Sequence, residues 1–121
     1  MYLDHLFQNK NKIFIDGGTG SEIERLGGKM NSAWGATTNL TSPEIVIKVH
    51  ENFINAGCDI ITTNTFASCR HTLDGPGCSE NTLKINKAAV NLAKTAIKNV
   101  GKKNIIIAGC MSNFFALAKN E

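Results

Sequence analysis

The chain has 121 residues, a formal net charge of +3, 42% apolar and 19% charged residues, which is enough for one ordinary globular domain with a real core. Its lysines are scattered, with no arginine-rich stripe to suggest nucleic-acid binding, and no apolar run nears the roughly 20 residues that cross a bilayer. The first residues, MYLDHLFQNKNK, lack the basic-then-apolar pattern of a secretory signal, so a cytoplasmic location without membrane partners is expected.

Three compact, isoleucine-rich runs mark the strands. They are KIFID at 12–16, DIITTNTF at 59–66 and KNIIIAGC at 103–110. Continuous apolar runs of this kind suit parallel strands buried on both faces. After the first run comes a glycine cluster, then a short helix expected over 21–26. The stretch SPEIVIKVHENFINAG reads as a longer helix, with Ser42 as N-cap, Pro43 at the first helical position and Gly57 just past the end. Ile45, Val49 and Phe53 share one of its faces, with Val46 and Ile54 beside them. SENTLKINKAAVNLAKTAIKNVG repeats the device: Ser79 or Asn81 caps it, Leu83, Val90, Ala93 and Ile97 are expected to face inward, and Gly101 ends it. The order β-α-β-α-β, with strand starts about 45 residues apart, predicts βαβ units and a parallel sheet. Such a start suits a doubly wound sheet or a (β/α)8 barrel. A whole barrel needs roughly 200 residues or more, so a barrel reading makes this chain its first part.

Four cysteines, Cys58, Cys69, Cys78 and Cys110, form no CxxC pair, and no His-x-x-x-His spacing accompanies them. Free thiols in a reducing compartment are expected rather than a zinc finger or a disulfide framework.

Parallel α/β folds bind ligands at the C-terminal ends of their strands. There the sequence brings together Asp16-Gly17-Gly18-Thr19-Gly20, Thr62-Thr63-Asn64-Thr65-Phe66 and Ala108-Gly109-Cys110. A carboxylate at Asp16 suits a ligand ammonium, and backbone N–H groups bared by Gly17 and Gly18 suit a ligand carboxylate. Together they would suit one end of an amino acid. The alternative is an aspartate that caps the turn, with glycines demanded by positive φ. The TTNTF stretch is more polar than a core needs, with Phe66 as an apolar wall, although local hydrogen bonds would also explain it. Trp34, in the loop before Ser42, reads as a lid or a packing anchor. His50 and His71 read as surface or helix-face residues, and Cys110 as a small packing residue. A dinucleotide fingerprint fails because Ile23 stands where the third glycine belongs, and no Gly-Lys-Ser/Thr makes a P-loop.

The ordered set DGGTGSEIERLG, a loop tryptophan, SPEIVIKVHENFINAGCDIITTNTF, INKAAVNLAKTA and IIIAGC resembles the homocysteine S-methyltransferases, from about Ile13 to Cys110. AGxDIITTNTF is its most specific piece and DGG the next. The resemblance implies an α/β fold, with residues 1–121 as the N-terminal portion, about three β/α units, of a (β/α)8 TIM barrel truncated before it closes. It implies a cytoplasmic enzyme that moves a methyl group from a donor to the homocysteine thiolate, giving methionine. Asp16, Gly17 and Gly18 match the positions that hold the amino-acid end of homocysteine. Thr63 and Phe66 match residues of the second strand that line the pocket, and Trp34 matches a loop tryptophan near it. The family's zinc is held by three cysteines, one in the later barrel and an adjacent pair near its end. None of the four cysteines here occupies those positions, so the metal ligands are expected beyond Glu121 and no zinc ligand within the chain. Cobalamin or folate enters some members through other domains. The methyl donor stays open among betaine, S-methylmethionine, S-adenosylmethionine and a cobalamin-borne methyl. The alternatives are a small nucleotide- or phosphate-binding α/β domain and an inactive truncated product.

Overall fold

A computed structural model describes residues 2–113. The chain opens with a helix that sequence reasoning had passed over, α1 (Tyr2–Asn9). The apolar run after it leads to α2 (Thr19–Arg25), which starts two residues before the expected Ser21. A one-turn helix, α3 (Thr38–Thr41), precedes α4 (Pro43–Asn55). The expected punctuation of α4 holds: Ser42 is N-cap, Pro43 opens the helix, and Gly57 follows the end with φ of 108°. The Ser42 side chain makes no capping hydrogen bond. Then come β1 (Ile60–Thr62), α5 (Arg70–Asp74), a single 3-10 turn (Ser79–Asn81), α6 (Thr82–Val100) and β2 (Ile106–Ala108). Gly101 closes α6 in the left-handed conformation, as expected of a glycine there.

The two strands are parallel, in the register Ile60–Ile106, Ile61–Ile107 and Thr62–Ala108. The first apolar run lies on the other side of β1. It is reduced to one parallel bridge, Ile15 with Ile60, backed by Asp16 N–H to the Ile60 carbonyl at 3.1 Å and Asp59 N–H to the Phe14 carbonyl at 2.7 Å. The expectation of a strand buried on both faces is therefore corrected at this position. Phe14 and Ile15 are 59% and 63% exposed, because among the described residues nothing covers their outer side. The spatial order is the 13–16 run, β1, β2, the same as the sequence order.

The core sits between this sheet and its helices. Ile54 of α4, Ile61 of β1 and Ala93 and Ala96 of α6 form one buried cluster with Cys58. Ile23 of α2 packs with Val46, Val49 and Leu92 in a second. Ala33, Ala36, Ala67, Leu73 and Ile85 form a third beneath the loops at the strand ends. The inner face of α6 is thus Ile85, Ala89, Leu92, Ala93 and Ala96. Leu83 and Val90, expected to face inward, are exposed. The helices approach closely enough for alanines to line much of the seam, and the buried stripe runs through Ile85 and Leu92 rather than Leu83 and Val90.

Two further positions complete the local picture. Gly28, which follows α2, donates its N–H to the Ile23 carbonyl at 2.8 Å; a Cβ there would come within 2.4 Å of the Ile23 side chain. His50 corrects the surface expectation: it lies on the inner face of α4, fully buried, with no hydrogen-bond partner for either ring nitrogen. His71 is exposed, as expected. Among the described residues no helix is long and apolar enough to cross a membrane.

Candidate substrate site at the strand ends

A cavity of about 450 Å³ opens at the C-terminal ends of the strands. That volume lies in the range of small-molecule sites, roughly 300–1,000 Å³. Gly17, Gly18, Trp34, Thr63, Phe66 and Cys110 all line it. Five of the six residues expected at a substrate site therefore meet around one space.

Asp16 stands behind this wall rather than on it. Its carboxylate accepts the Thr62 N–H at 2.7 Å and the Thr62 hydroxyl at 3.0 Å. These bonds clip the first apolar run to β1. Burial raises the Asp16 pKa above the usual carboxylate value, against the Thr62 hydrogen bonds, which lower it. A carboxylate offers about four acceptor positions, so two donors from Thr62 leave capacity for a ligand.

The glycines beside it are not demanded by the backbone. Neither Gly17 nor Gly18 has a positive φ. A Cβ on Gly17 would make only ordinary contacts with the Phe53 ring at 3.7 Å, and one on Gly18 would meet Ser21 at 3.4 Å. Positive φ therefore does not account for this pair.

The end of β1 is locked to the end of β2 by a closed ring of hydrogen bonds. The Thr65 hydroxyl donates to the Cys110 carbonyl at 2.6 Å. Its oxygen must then accept from the Thr63 hydroxyl at 2.8 Å. The Thr63 oxygen in turn accepts the Cys110 N–H at 3.2 Å. Thr63 is thus a cavity residue whose hydroxyl hydrogen is already used, leaving a lone pair for a ligand.

Trp34 faces Phe66 across the opening, with ring centroids 5.4 Å apart and planes 11° from parallel. Its φ of 49° is costly for an aromatic residue. The turn is held by Asn31, which exchanges backbone hydrogen bonds with Trp34 at 2.8 and 3.1 Å and accepts the Ala33 N–H on its side chain at 2.8 Å. Asn64 and Cys110 also line the cavity, and both lie in the strand-end segments that the sequence brings together.

The cysteines are dispersed. Cys58 is buried beneath the sheet, Cys69 contacts His71 and Thr72, Cys78 packs beside the third core cluster, and only Cys110 reaches the cavity. None of the four forms a disulfide. Burial and the nearby Asp16 charge raise the Cys110 pKa. Among the described residues no three His, Cys, Asp or Glu side chains converge as a metal site would need.

The sequence profile of the homocysteine S-methyltransferases matches residues 13–121, and the chain belongs to that family. It is 33% identical over 95 residues to homocysteine S-methyltransferase 2 of Arabidopsis thaliana, covering 77% of this chain and 28% of that protein. It is 33% identical over 81 residues to a selenocysteine Se-methyltransferase of Brassica oleracea var. italica, covering 65% of this chain and 23% of that protein. The chain thus spans about a quarter of the length of these curated relatives. Its fold is like part of the metallated homocysteine methyltransferase MmuM of Escherichia coli, with a TM-score of 0.78 at 22% identity over 90% of this chain and 40% of that one.

Proposed function

We propose that the chain is the first part, about three β/α units, of a (β/α)8 barrel enzyme that transfers a methyl group to the sulfur of homocysteine, giving methionine. The observation that carries this reading is the cavity at the strand ends, where Gly17, Gly18, Thr63, Phe66 and Trp34 meet beside the Asp16 carboxylate. The exposed Phe14 and Ile15 support a sheet that continues past the first apolar run. Four free thiols suit a reducing cytoplasm.

Within this reading each residue has a separate task. Asp16 accepts hydrogen bonds from the substrate ammonium, and the N–H groups of Gly17 and Gly18 take its carboxylate. That grip on the amino-acid end fixes the direction of the side chain and so the position of sulfur. The stacked Trp34 and Phe66 keep water from the sulfur and the incoming methyl group. In the transfer the substrate thiol loses its proton to solvent and a sulfur–carbon bond forms. The bond between methyl carbon and donor breaks, its electron pair staying on the donor.

The family resemblance implies zinc as the group that keeps homocysteine a thiolate. The donors described here do not make that site: Cys110 alone reaches the cavity, with its pKa raised rather than lowered. The test is methyl transfer by the complete protein, given homocysteine and, in turn, betaine, S-methylmethionine, S-adenosylmethionine and methylcobalamin. Methionine is expected by mass spectrometry with at least one donor. Its absence with all four would overturn the reading.

A further inference from the structure

The aromatic wall of the cavity stands on two separate loops. Trp34 precedes α3, and Phe66 lies beyond the end of β1. Neither belongs to a helix or a strand, so their relative position must be set by other contacts. Two side-chain amides supply them. Asn39, on α3, is 2% exposed. Its NH2 group donates to the Asn64 carbonyl at 2.9 Å and to the Ile85 carbonyl of α6 at 3.4 Å. Its oxygen accepts from the Asn64 side-chain amide at 2.9 Å, and the same Asn64 nitrogen donates to the Gly35 carbonyl at 2.8 Å.

All four side-chain N–H bonds of the pair are therefore used. Both amide orientations follow, because a flipped Asn39 would set its oxygen against two carbonyl oxygens. Gly35 is the residue after Trp34, and Asn64 lies two residues before Phe66. The pair ties backbone beside one ring to backbone beside the other, and α6 anchors both. A buried polar network that is fully satisfied holds one geometry, since any shift leaves a donor or acceptor without a partner.

We propose that Asn39 and Asn64 are positioning residues for the cavity, holding the Trp34 loop against the end of β1 so that Trp34 stays stacked on Phe66. Its consequence for catalysis rests on the methyltransferase reading above; its structural content does not.

Trp34 is the sole tryptophan of these 121 residues, so in the complete protein, with any further tryptophan changed to phenylalanine, its fluorescence reports the stack. The deciding variant is Asn64→Ala, whose side chain is only half-buried. With its far-UV circular dichroism unchanged, it is expected to show red-shifted emission and roughly twofold stronger acrylamide quenching than the wild type, as an aromatic stack opens to water. Asp59→Asn is the control. Asp59 is a buried carboxylate at the far end of β1, bonded to Lys10 and to the Phe14 N–H. That variant is expected to leave Trp34 emission unmoved. In the complete protein, Asn64→Ala is expected to lower kcat about fivefold with the homocysteine KM changed by less than about twofold, the mark of an interaction lost at the reacting sulfur rather than at the amino-acid end. Unaltered emission and quenching in folded Asn64→Ala would overturn the proposal. If the wild-type protein fails to use homocysteine while Asn64→Ala still exposes Trp34, the brace stands and the functional reading alone falls.

Discussion

Acidification from pH 7 to pH 4 is expected to remove about 3 kcal/mol of folding stability through one side chain, His50. Burial lowers its pKa to about 4 from an ordinary 6.5, and neither ring nitrogen has a hydrogen bond to offset that burial. Above pH 6.5 the imidazole is neutral both folded and unfolded, and the group contributes no pH dependence. Between 6.5 and about 4 the unfolded chain binds a proton that the folded chain refuses, so stability falls with each step of acid. Below about 4 the folded form takes the proton too, and the slope from this group ends. His50→Leu removes the titration and replaces two unsatisfied polar atoms with apolar ones. Its stability is expected to exceed that of the wild type by about 2 kcal/mol at pH 5, and the gap should narrow toward pH 7. Urea unfolding of both proteins across this range measures it. Parallel curves for the two would show that His50 finds a partner or water in solution.

The second large effect belongs to Asp16. Asp16→Asn is the informative change, because its amide oxygen can still accept the Thr62 N–H that the carboxylate holds at 2.7 Å. The clip to β1 is thereby retained while the charge is lost. A hydrogen bond to a charged group is worth roughly 1.5–3 kcal/mol, so homocysteine affinity should fall at least about tenfold. Asp16→Ala should lose at least as much, together with the Thr62 contacts and some stability. Calorimetry on the complete protein separates the cases. Equal affinity in the wild type and Asp16→Asn would leave Asp16 with only its structural role. Because burial raises the Asp16 pKa, weakening of wild-type binding by acid should set in at a higher pH than an ordinary carboxylate would show.

Much of the architecture was legible because strong local signals agreed with the fold. Pro43 and Gly57 bound α4, Gly101 closes α6, and the isoleucine runs at β1 and β2 lie parallel. Three features were less legible. The KIFID run carries the same signal as the other two, yet it makes only one bridge, Ile15 with Ile60, and its Phe14 and Ile15 side chains lie uncovered among the described residues. On α6, Leu83, Val90 and Ile97 recur at seven-residue spacing and mimic an inner stripe, yet of the three only Ile97 packs against the core. The real seam runs through Ile85, Leu92 and three alanines, whose burial depends on how closely neighbouring elements approach. His50 looked polar and hence external, yet its position on α4, one turn after Val46 and one before Ile54, assigns it to the buried face. At the site, Gly17, Gly18, Thr63, Phe66 and Trp34, which the sequence singles out, line one cavity. The turn of the Asp16 carboxylate toward Thr62 and the Asn39–Asn64 brace did not show in it. Both depend on contacts between residues 25 or more positions apart.

In the proposed function this cavity grips the amino-acid end of homocysteine. The most direct measurement is a titration of the 15N-labelled complete protein with homocysteine and, separately, with N-acetylhomocysteine, which keeps the thiol and the carboxylate but carries no ammonium. Homocysteine is expected to shift the Gly17, Gly18 and Thr63 amides and the Trp34 indole saturably, and N-acetylhomocysteine to leave them nearly in place. Equal binding of the two ligands, or homocysteine shifts confined to other parts of the chain, would contradict the claim.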